Sequence, residues 1–170
     1  RHRAHGRVAG HVDALEQQLP GHRAGQVQAL AHLLGRLEEV VGGGQALAQV
    51  RALLEVRQPK RWLAYDQDSA KAVAFAATTS AELGIAMTPA GELARAVGDS
   101  RIVVTCTTAR RFIIAHEMVQ PGTFIAAVGA DSESKQEIDP RLMASARVVT
   151  DLTAQAAAIG DLHHAIGAGA

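Results

Sequence analysis

The sequence predicts an α/β fold, a doubly wound and mostly parallel sheet over residues 37–151. Short apolar runs alternate with segments long enough for helices, and most runs are hydrophobic throughout. Alternating strands and helices are typical of parallel strands joined by crossover helices, and continuous apolar strands suit a sheet covered on both faces. The 170 residues, 48% of them hydrophobic, suffice for one domain with a small appendage.

The predicted strands are apolar runs that end at glycine or at a polar residue. They cover residues 37–41, 62–65, 85–87, 101–106, 123–128 and 147–150. The predicted helices carry apolar residues at helical spacing or follow a capping signal. They cover residues 46–56, 69–83, 89–97, 140–146 and 153–159. Ser69 is expected to cap the second helix and Gly84 to end it.

The two ends of the chain are predicted as separate segments. Residues 1–36 contain two short helix candidates, 12–19 and 27–34, divided by Pro20 and Gly21. Their apolar residues are sparse, so a helical hairpin and a disordered segment both stay open. Residues 152–170 are expected to form a helical, truncated tail.

Charge and cysteine content exclude several classes of partner. Lysine and arginine together number 17, as do aspartate and glutamate. This balance argues against binding to nucleic acid or to an acidic membrane surface. No run approaches the roughly 18 apolar residues of a membrane span. A single cysteine cannot form an internal disulfide, which favours a reducing compartment and a cytoplasmic protein.

The glycine run at the start of the first long helix is a candidate phosphate site. Gly42, Gly43 and Gly44 precede Gln45 and Ala46. Glycines between a strand and a helix let backbone N–H groups approach a pyrophosphate, which the helix N-terminus also favours. The run fits the Gly-x-Gly-x-x-Gly dinucleotide fingerprint imperfectly. An alignment that starts at Gly42 puts a leucine at the third glycine position, and one that starts a residue earlier puts a valine at the first. A plain glycine turn is the alternative.

Asp66 is the candidate ribose ligand. It lies 22 residues after Gly44 and directly follows a predicted strand. An acidic residue at this spacing can accept hydrogen bonds from the ribose hydroxyls, and its charge favours NAD over NADP. The positive charges of nearby Lys60, Arg61 and Lys71 weaken this preference, so NADP stays a possible cofactor. The alternative is a solvated loop residue or a helix cap.

Further polar residues follow the next two strands. Thr105, Thr107 and Thr108 lie at the end of one, and Gly129 and Asp131 at the end of the other. Open α/β sheets bind ligands at this edge. A carboxylate beside a nicotinamide can act as a general base or acid, so Asp131 is the catalytic candidate. Turn chemistry for the threonines and a capping role for Asp131 are the alternatives.

Cysteine and histidine give weaker signals. Cys106 has no basic partner nearby in sequence, so a buried structural thiol is favoured over a nucleophile. His163 and His164 are adjacent, and neighbouring helical side chains point about 100° apart and cannot readily share one metal ion. No metal site is predicted.

Residues 42–160 resemble the ornithine cyclodeaminase/mu-crystallin family. The shared features are a strand ending in Thr-x-Thr, a Pro-Gly turn, a strand ending in Gly-x-Asp, a Lys-x-Glu-hydrophobic-Asp run and a Val-Val-x-Asp strand. They occur in IVVTCTTARRFIIAHEMVQPGTFIAAVGADSESKQEIDPRLMASARVVTD. The run QALAQVRALLEVR also looks like the first nucleotide-binding helix of this family.

The resemblance implies a Rossmann-like domain that binds NAD or NADP and exchanges a hydride with the carbon bearing an amino or imino group. It makes Asp131 the catalytic carboxylate and places Lys135 beside the substrate. The motifs and the resemblance together assign cofactor contacts to Gly42, Gly43, Gly44, Gln45, Ala46, Asp66, Thr105, Thr107, Val128 and Gly129. The implied substrate is a small amino acid or its imine.

Residues 1–59 depart from the family pattern. They contain no aromatic residue, no isoleucine and no lysine, and the family's substrate domain is not recognisable in them. We expect that the segment before about Gly44 comes from a shifted reading frame or a fragmentary gene. Whether the chain is an enzyme stays open, with a non-catalytic dinucleotide- or ligand-binding protein like mu-crystallin, or an inactive remnant, as alternatives. A homodimer is open too, although the usual family interface is missing.

Overall fold

The structure is a computed structural model, and it describes residues 44–170. The predicted strand at 37–41, the predicted helices at 12–19 and 27–34, and Gly42 and Gly43 lie outside the described residues.

Residues 44–170 contain six strands and six α-helices. The strands are β1 (Trp62–Ala64), β2 (Met87–Pro89), β3 (Ile102–Thr105), β4 (Arg110–Ile114), β5 (Phe124–Ala127) and β6 (Gln136–Ile138). The helices are α1 (Gly44–Val56), α2 (Ser69–Leu83), α3 (Leu93–Gly98), α4 (Pro140–Ser145), α5 (Thr153–Ala158) and α6 (Gly160–Gly167). A turn of 3₁₀ helix covers His116–Met118.

The described strands form three parallel pairs. β1 pairs with β2, β3 with β5, and β4 with β6. The β3–β5 pair is fully in register, from Ile102 opposite Phe124 to Thr105 opposite Ala127. Helix α2 joins β1 to β2, whereas β3 to β6 are connected by loops and the one turn of 3₁₀ helix. All three pairs are parallel, as the sequence predicts for an α/β domain.

Two apolar clusters hold these elements together. Val50, Ala64, Ala76 and Met87 join α1 and α2 to the β1–β2 pair. The second cluster joins α3, β3, β4, β6 and α4, and its buried members are Val97, Val103, Ile114, Ile138 and Leu142. Since burial of apolar side chains is the main favourable term in folding, these clusters set where the strand pairs lie.

The predicted elements at 85–87 and 89–97 are shifted in the structure. The strand is Met87–Pro89, and the helix starts only at Leu93. Ser80 of α2 accepts a hydrogen bond from the Met87 N–H, and the Ala90 N–H donates to the Ala64 carbonyl. Pro89 fits here because β2, among the described strands, pairs only with β1.

The caps of α2 differ in part from the expectation. Asp68, and not Ser69, is the N-cap, and its side chain accepts a hydrogen bond from the Ala70 N–H. Gly84 ends the helix as predicted, with φ of 66° and its N–H bonded to the Ser80 carbonyl. A left-handed conformation at this position favours glycine.

Three further differences concern strands. The expected strand at 147–150 is absent from the structure, where no described strand pairs with this segment and Val149 is 82% exposed. A β-branched run becomes a strand only where a neighbour accepts its backbone hydrogen bonds. Conversely β4 and β6, whose residues are partly charged, were not predicted. Helix α6 lies within residues 152–170, where the sequence predicts a helical tail without bounds for individual helices.

Candidate functional site

The carboxyl ends of β3 and β5 lie side by side and define the candidate site. The Val128 N–H donates to the Thr105 carbonyl at 2.9 Å, which continues the ladder one residue beyond β5. Thr107 and Gly129 then follow their strands on neighbouring turns. The structure therefore brings together the two polar strand ends that the sequence predicts at one edge.

A buried carboxylate, that of Glu137, connects these two strand ends. Its Oε2 accepts the Thr105 hydroxyl at 2.7 Å and the Gly129 N–H at 2.8 Å, and its Oε1 accepts the Thr107 N–H at 2.6 Å. The Glu137 side chain is 0% exposed. Burying a carboxylate is costly without hydrogen-bond donors, and three donors meet that requirement here.

Gly129 is needed for this close approach. A Cβ atom at Gly129 would lie 2.5 Å from Glu137 Oε1 and equally close to the Thr107 carbonyl oxygen. Both distances are far shorter than van der Waals contact. A residue with a side chain would therefore push the Glu137 carboxylate or the Thr107 peptide out of place.

Asp131 and Lys135 form an ion pair beyond the end of β5. Lys135 Nζ lies 2.6 Å from Asp131 Oδ1, and the Asp131 side chain is 71% exposed against 25% for Lys135. The Asp131 N–H donates to the Gly129 carbonyl at 3.1 Å, which ties the turn to the strand end. The structure thus places the two residues side by side.

Helix α6 supports β6 and the segment that leads into it. Asp161 Oδ1 accepts the N–H groups of Glu137 and Ile138 at 2.7 and 2.8 Å. Burial is the main cause that raises the pKa of Asp161 above its ordinary value, while these two N–H donors act in the opposite direction. The side chain that binds the β6 backbone therefore comes from the C-terminal helix.

Two more contacts join α6 to the same segment. The Gly160 N–H donates to the Ser132 carbonyl at 3.2 Å, and His164 Nε2 lies 3.0 Å from the Lys135 carbonyl oxygen. Gly160 has φ of 78°, and a Cβ there would overlap the Ala130 carbonyl. The loop that carries Asp131 and Lys135 is therefore held from behind by α6.

The residues predicted to bind the adenosine half lie on other elements. Gly44 is the first residue of α1, and Gln45 and Ala46 belong to its first turn. Asp66 follows β1, is exposed, and accepts the Asp68 N–H at 2.8 Å. Helix α1 also contacts β3, so its packing partners include the strand that ends at Thr105.

Cys106 lies between the two threonines but is not an activated thiol. Burial, and secondarily the Glu137 charge, raises the pKa of Cys106 to about 11. The thiol therefore stays protonated at neutral pH, although Cys106 is half-buried and not fully buried as the sequence predicts. Within residues 44–170, no group of three histidine, cysteine or acidic side chains is placed to hold a metal ion.

Sequence reasoning missed Glu137 and Asp161. Glu137 occurs in the Lys-x-Glu-hydrophobic-Asp run quoted for the resemblance, which was the one signal that pointed at this position. Its burial was not readable because charged residues are mostly exposed. Asp161 carries no sequence signal, since it is an ordinary acidic residue near the start of a helix.

A parallel α/β domain with polar residues gathered at the carboxyl ends of its strands defines a Rossmann-like, dinucleotide-binding class of protein. The chain belongs to the ornithine cyclodeaminase/mu-crystallin family, whose family model matches residues 30–168. Both the predicted fold class and the predicted family are confirmed by the comparisons with known proteins.

Three solved structures are similar to this chain. The iminosuccinate reductase of Paracoccus denitrificans, in complex with NAD⁺, is 35% identical with a TM-score of 0.69 over 74% of this chain and 38% of that one. The Thermococcus litoralis Δ¹-pyrroline-2-carboxylate reductase, with NADH and L-proline, is 28% identical with a TM-score of 0.70 over 74% and 39%. An archaeal alanine dehydrogenase dimer with bound NAD is 31% identical with a TM-score of 0.67 over 74% and 38%.

The chain spans about two fifths of the length of these relatives. In sequence, the Paracoccus reductase is 36% identical over 131 residues, which are 76% of this chain and 40% of the reductase. The cofactor expected from the sequence, NAD, is the one named for all three solved relatives.

Proposed function

We propose that this chain is an NAD-binding, oxidoreductase-type domain that acts on an amino acid or its imine by hydride exchange. The observation that carries the proposal is the shared edge of β3 and β5. There the N–H groups of Thr107 and Gly129 both donate to the buried Glu137 carboxylate. The ion pair of Asp131 and Lys135 lies in the loop that follows Gly129. Membership of the family and the nicotinamide cofactors of the three solved relatives support it.

The residues present fit a dinucleotide at two described points. The N-terminus of α1, 13 residues long, offers backbone N–H groups for the pyrophosphate at Gly44 to Ala46. The exposed carboxylate of Asp66 suits the ribose hydroxyls. From the sequence alone, we propose that Gly42 and Gly43 also contact the pyrophosphate. The bound dinucleotide would supply hydride transfer.

Asp131 is the proposed proton-handling group. Lys135 Nζ lies 2.6 Å from Asp131 Oδ1, and a carboxylate at this position can accept a proton from a substrate amine or from water. Lys135 also offers a positive charge for a substrate carboxylate. Thr105, Thr107, Val128 and Gly129 would border the nicotinamide side.

Domain boundaries and setting belong to the same proposal. We propose that residues 37–151 form the dinucleotide-binding domain, with 1–36 before it and 152–170 after it. One relative is a dimer, which motivates a homodimer for the complete protein. Among the described residues, no helix has both the length and the apolar character needed to cross a bilayer. We propose that the protein is cytoplasmic, because it has a single cysteine, and that it acts in amino-acid metabolism, because of the family to which it belongs.

Titration with NADH and NADPH, followed by nicotinamide fluorescence, tests the proposed function. We expect saturable NADH binding that Asp66→Ala weakens by about tenfold, since two ribose hydrogen bonds to a charged acceptor are lost. Asp99→Ala, which removes another exposed carboxylate, is the matched control and should leave binding unchanged. No saturable binding of either nucleotide by the parent chain would contradict the proposal.

Dinucleotide binding without turnover, in the manner of mu-crystallin, is a second candidate. It is favoured by the exposure of Asp131, because a general base usually works in a water-excluded pocket and this side chain is 71% exposed. Incubation of the NAD-loaded chain with L-ornithine, L-alanine or L-proline distinguishes the two candidates. NADH formation that Asp131→Asn abolishes supports catalysis, whereas binding with no NADH formation supports the second candidate.

A further inference from the structure

We infer that Glu137 is a positioning residue for the nicotinamide half of the cleft, acting through the peptides of Thr107 and Gly129. The inference rests on the proposed function and deepens it. It assigns a role to a side chain that lies on β6, outside the strand ends expected to bind the cofactor. The spacing of the two turns that carry Thr107 and Gly129 would thus be set by Glu137, a residue that does not itself touch the cofactor.

The first step is the geometry of the three donors. Thr105 and Thr107 come from the end of β3, and Gly129 comes from the turn after β5. All three donate to the same carboxylate within 2.8 Å. One rigid, buried acceptor therefore sets the spacing between two strand ends whose regular ladder stops at Val128.

The second step leads from Glu137 to the proposed catalytic pair. The Gly129 N–H is held by Glu137, and the Gly129 carbonyl accepts the Asp131 N–H at 3.1 Å. Asp131 in turn is paired with Lys135, two residues before Glu137 in the chain. The loop from Gly129 to Glu137 thus begins at a peptide bonded to the Glu137 carboxylate and ends at Glu137 itself. A shift of the Glu137 side chain would therefore move Asp131 relative to Thr107.

The third step explains why a carboxylate is required. The three hydrogen bonds to the Glu137 side chain all come from N–H or O–H donors. A glutamine of the same size would turn an amide NH₂ toward either the Thr107 N–H or the Gly129 N–H. Two donors would then face each other in a buried site, and one peptide would have to move.

The central test compares two ligands on the Glu137→Gln variant. NADH engages both halves of the cleft, whereas AMP engages only the adenosine side near Asp66 and α1. We expect Glu137→Gln to raise the Kd for NADH by about tenfold and the Kd for AMP by less than about twofold. Glu55→Gln, the same change on the exposed last turn of α1, should leave both constants unchanged.

The outcomes separate this inference from the proposed function. A parent chain that binds neither NADH nor AMP overturns the proposed function and this inference with it. A parent chain that binds NADH, with a Glu137→Gln variant of unchanged NADH affinity, overturns the positioning role alone. Equal losses of NADH and AMP affinity also overturn it, since a merely structural defect would weaken both ligands alike.

A second variant covers the case in which Glu137→Gln does not fold. Thr105→Val removes one donor to the carboxylate and keeps the charge and both peptide contacts. We expect a smaller rise of the NADH Kd, about threefold, with the AMP Kd unchanged. Thr123→Val, at the opposite end of the same strand pair, removes a hydroxyl bonded to the Ser100 carbonyl and is the control. Equal NADH affinities of the two threonine variants would overturn the inference.

Discussion

The Asp161 carboxylate accepts the peptide N–H of Glu137 at 2.7 Å, so one buried acid holds the backbone of another. Glu137 then holds the ends of β3 and β5 through its own side chain. The C-terminal helix α6 is therefore linked by hydrogen bonds to the edge of the sheet where the proposed site lies. Buried networks of this kind are specific because each unpaired member is costly.

Asp161→Ala should destabilise the fold more than Asp161→Asn. Asparagine keeps an oxygen that can accept the N–H groups of Glu137 and Ile138, whereas alanine leaves both donors unpaired. We expect a loss of about 2–4 kcal/mol in the free energy of unfolding for alanine, and less than half of that for asparagine. Urea unfolding followed by circular dichroism measures both. Similar losses for the two variants would show that these N–H contacts contribute little.

The charge of Asp161 predicts a pH dependence of stability. Burial raises the pKa of Asp161 above its ordinary value of 3.8, so the folded chain binds the proton more tightly than the unfolded chain. The contribution of Asp161 to stability is therefore fully present at low pH and is lost as the pH rises from 3.8 through the raised pKa. Asp161→Asn, which cannot ionise, should gain stability relative to the parent between pH 4 and pH 7. A constant difference across this range would contradict the prediction.

Asp139 should show the opposite dependence. The Arg141 guanidinium, donating to the carboxylate at 2.7 Å, lowers the pKa of Asp139 below its ordinary value. The contribution of Asp139 is therefore present above pH 3.8 and is lost as the pH falls through the lowered pKa. Asp139→Asn keeps an acceptor for the N-cap of α4, so its effect on unfolding should be larger at pH 7 than at pH 3. Arg141→Gln should reproduce only part of it, since Arg141 is mostly exposed.

Gly129→Ala should damage the site specifically. The added methyl would overlap the Thr107 peptide and the Glu137 carboxylate. We expect a loss of at least about 2 kcal/mol in the free energy of unfolding and a weaker NADH complex. Gly167→Ala, where a methyl meets no neighbouring atom, is the control and should be neutral or slightly stabilising. Wild-type affinity and stability in Gly129→Ala would show that the turn can move without cost.

Cys106 should react slowly with alkylating reagents. With its pKa raised to about 11, roughly one thiol in a thousand is ionised at pH 8, and the thiolate is the reactive form. We expect iodoacetamide to modify the folded chain at least about 100-fold more slowly than the urea-unfolded chain. Glu137→Gln should speed the reaction in the folded state, because the Glu137 charge is the second cause of the raised pKa. Equal rates in the folded and unfolded chain would contradict the assigned environment.

Much of the fold was readable from local sequence. The helices α1 and α2 and the strands β1, β3 and β5 have strong apolar patterns and clear stop signals, and the structure places them within a few residues of their predicted bounds. The errors fall where local pattern is a poor guide. The β4 and β6 strands carry charged residues, while the apolar segment at 147–150 has no described partner.

The sequence by itself determined the parallel α/β class, the family, and which strand ends carry polar residues, because apolar periodicity, glycines and motif spacing are local properties. Only the tertiary structure decided that Glu137 is buried between two strand ends and that Asp161 supports it from the C-terminal helix. Both residues look like ordinary surface acids in the sequence. Their burial depends on donors contributed by residues 8 to 32 positions away, which no local pattern records.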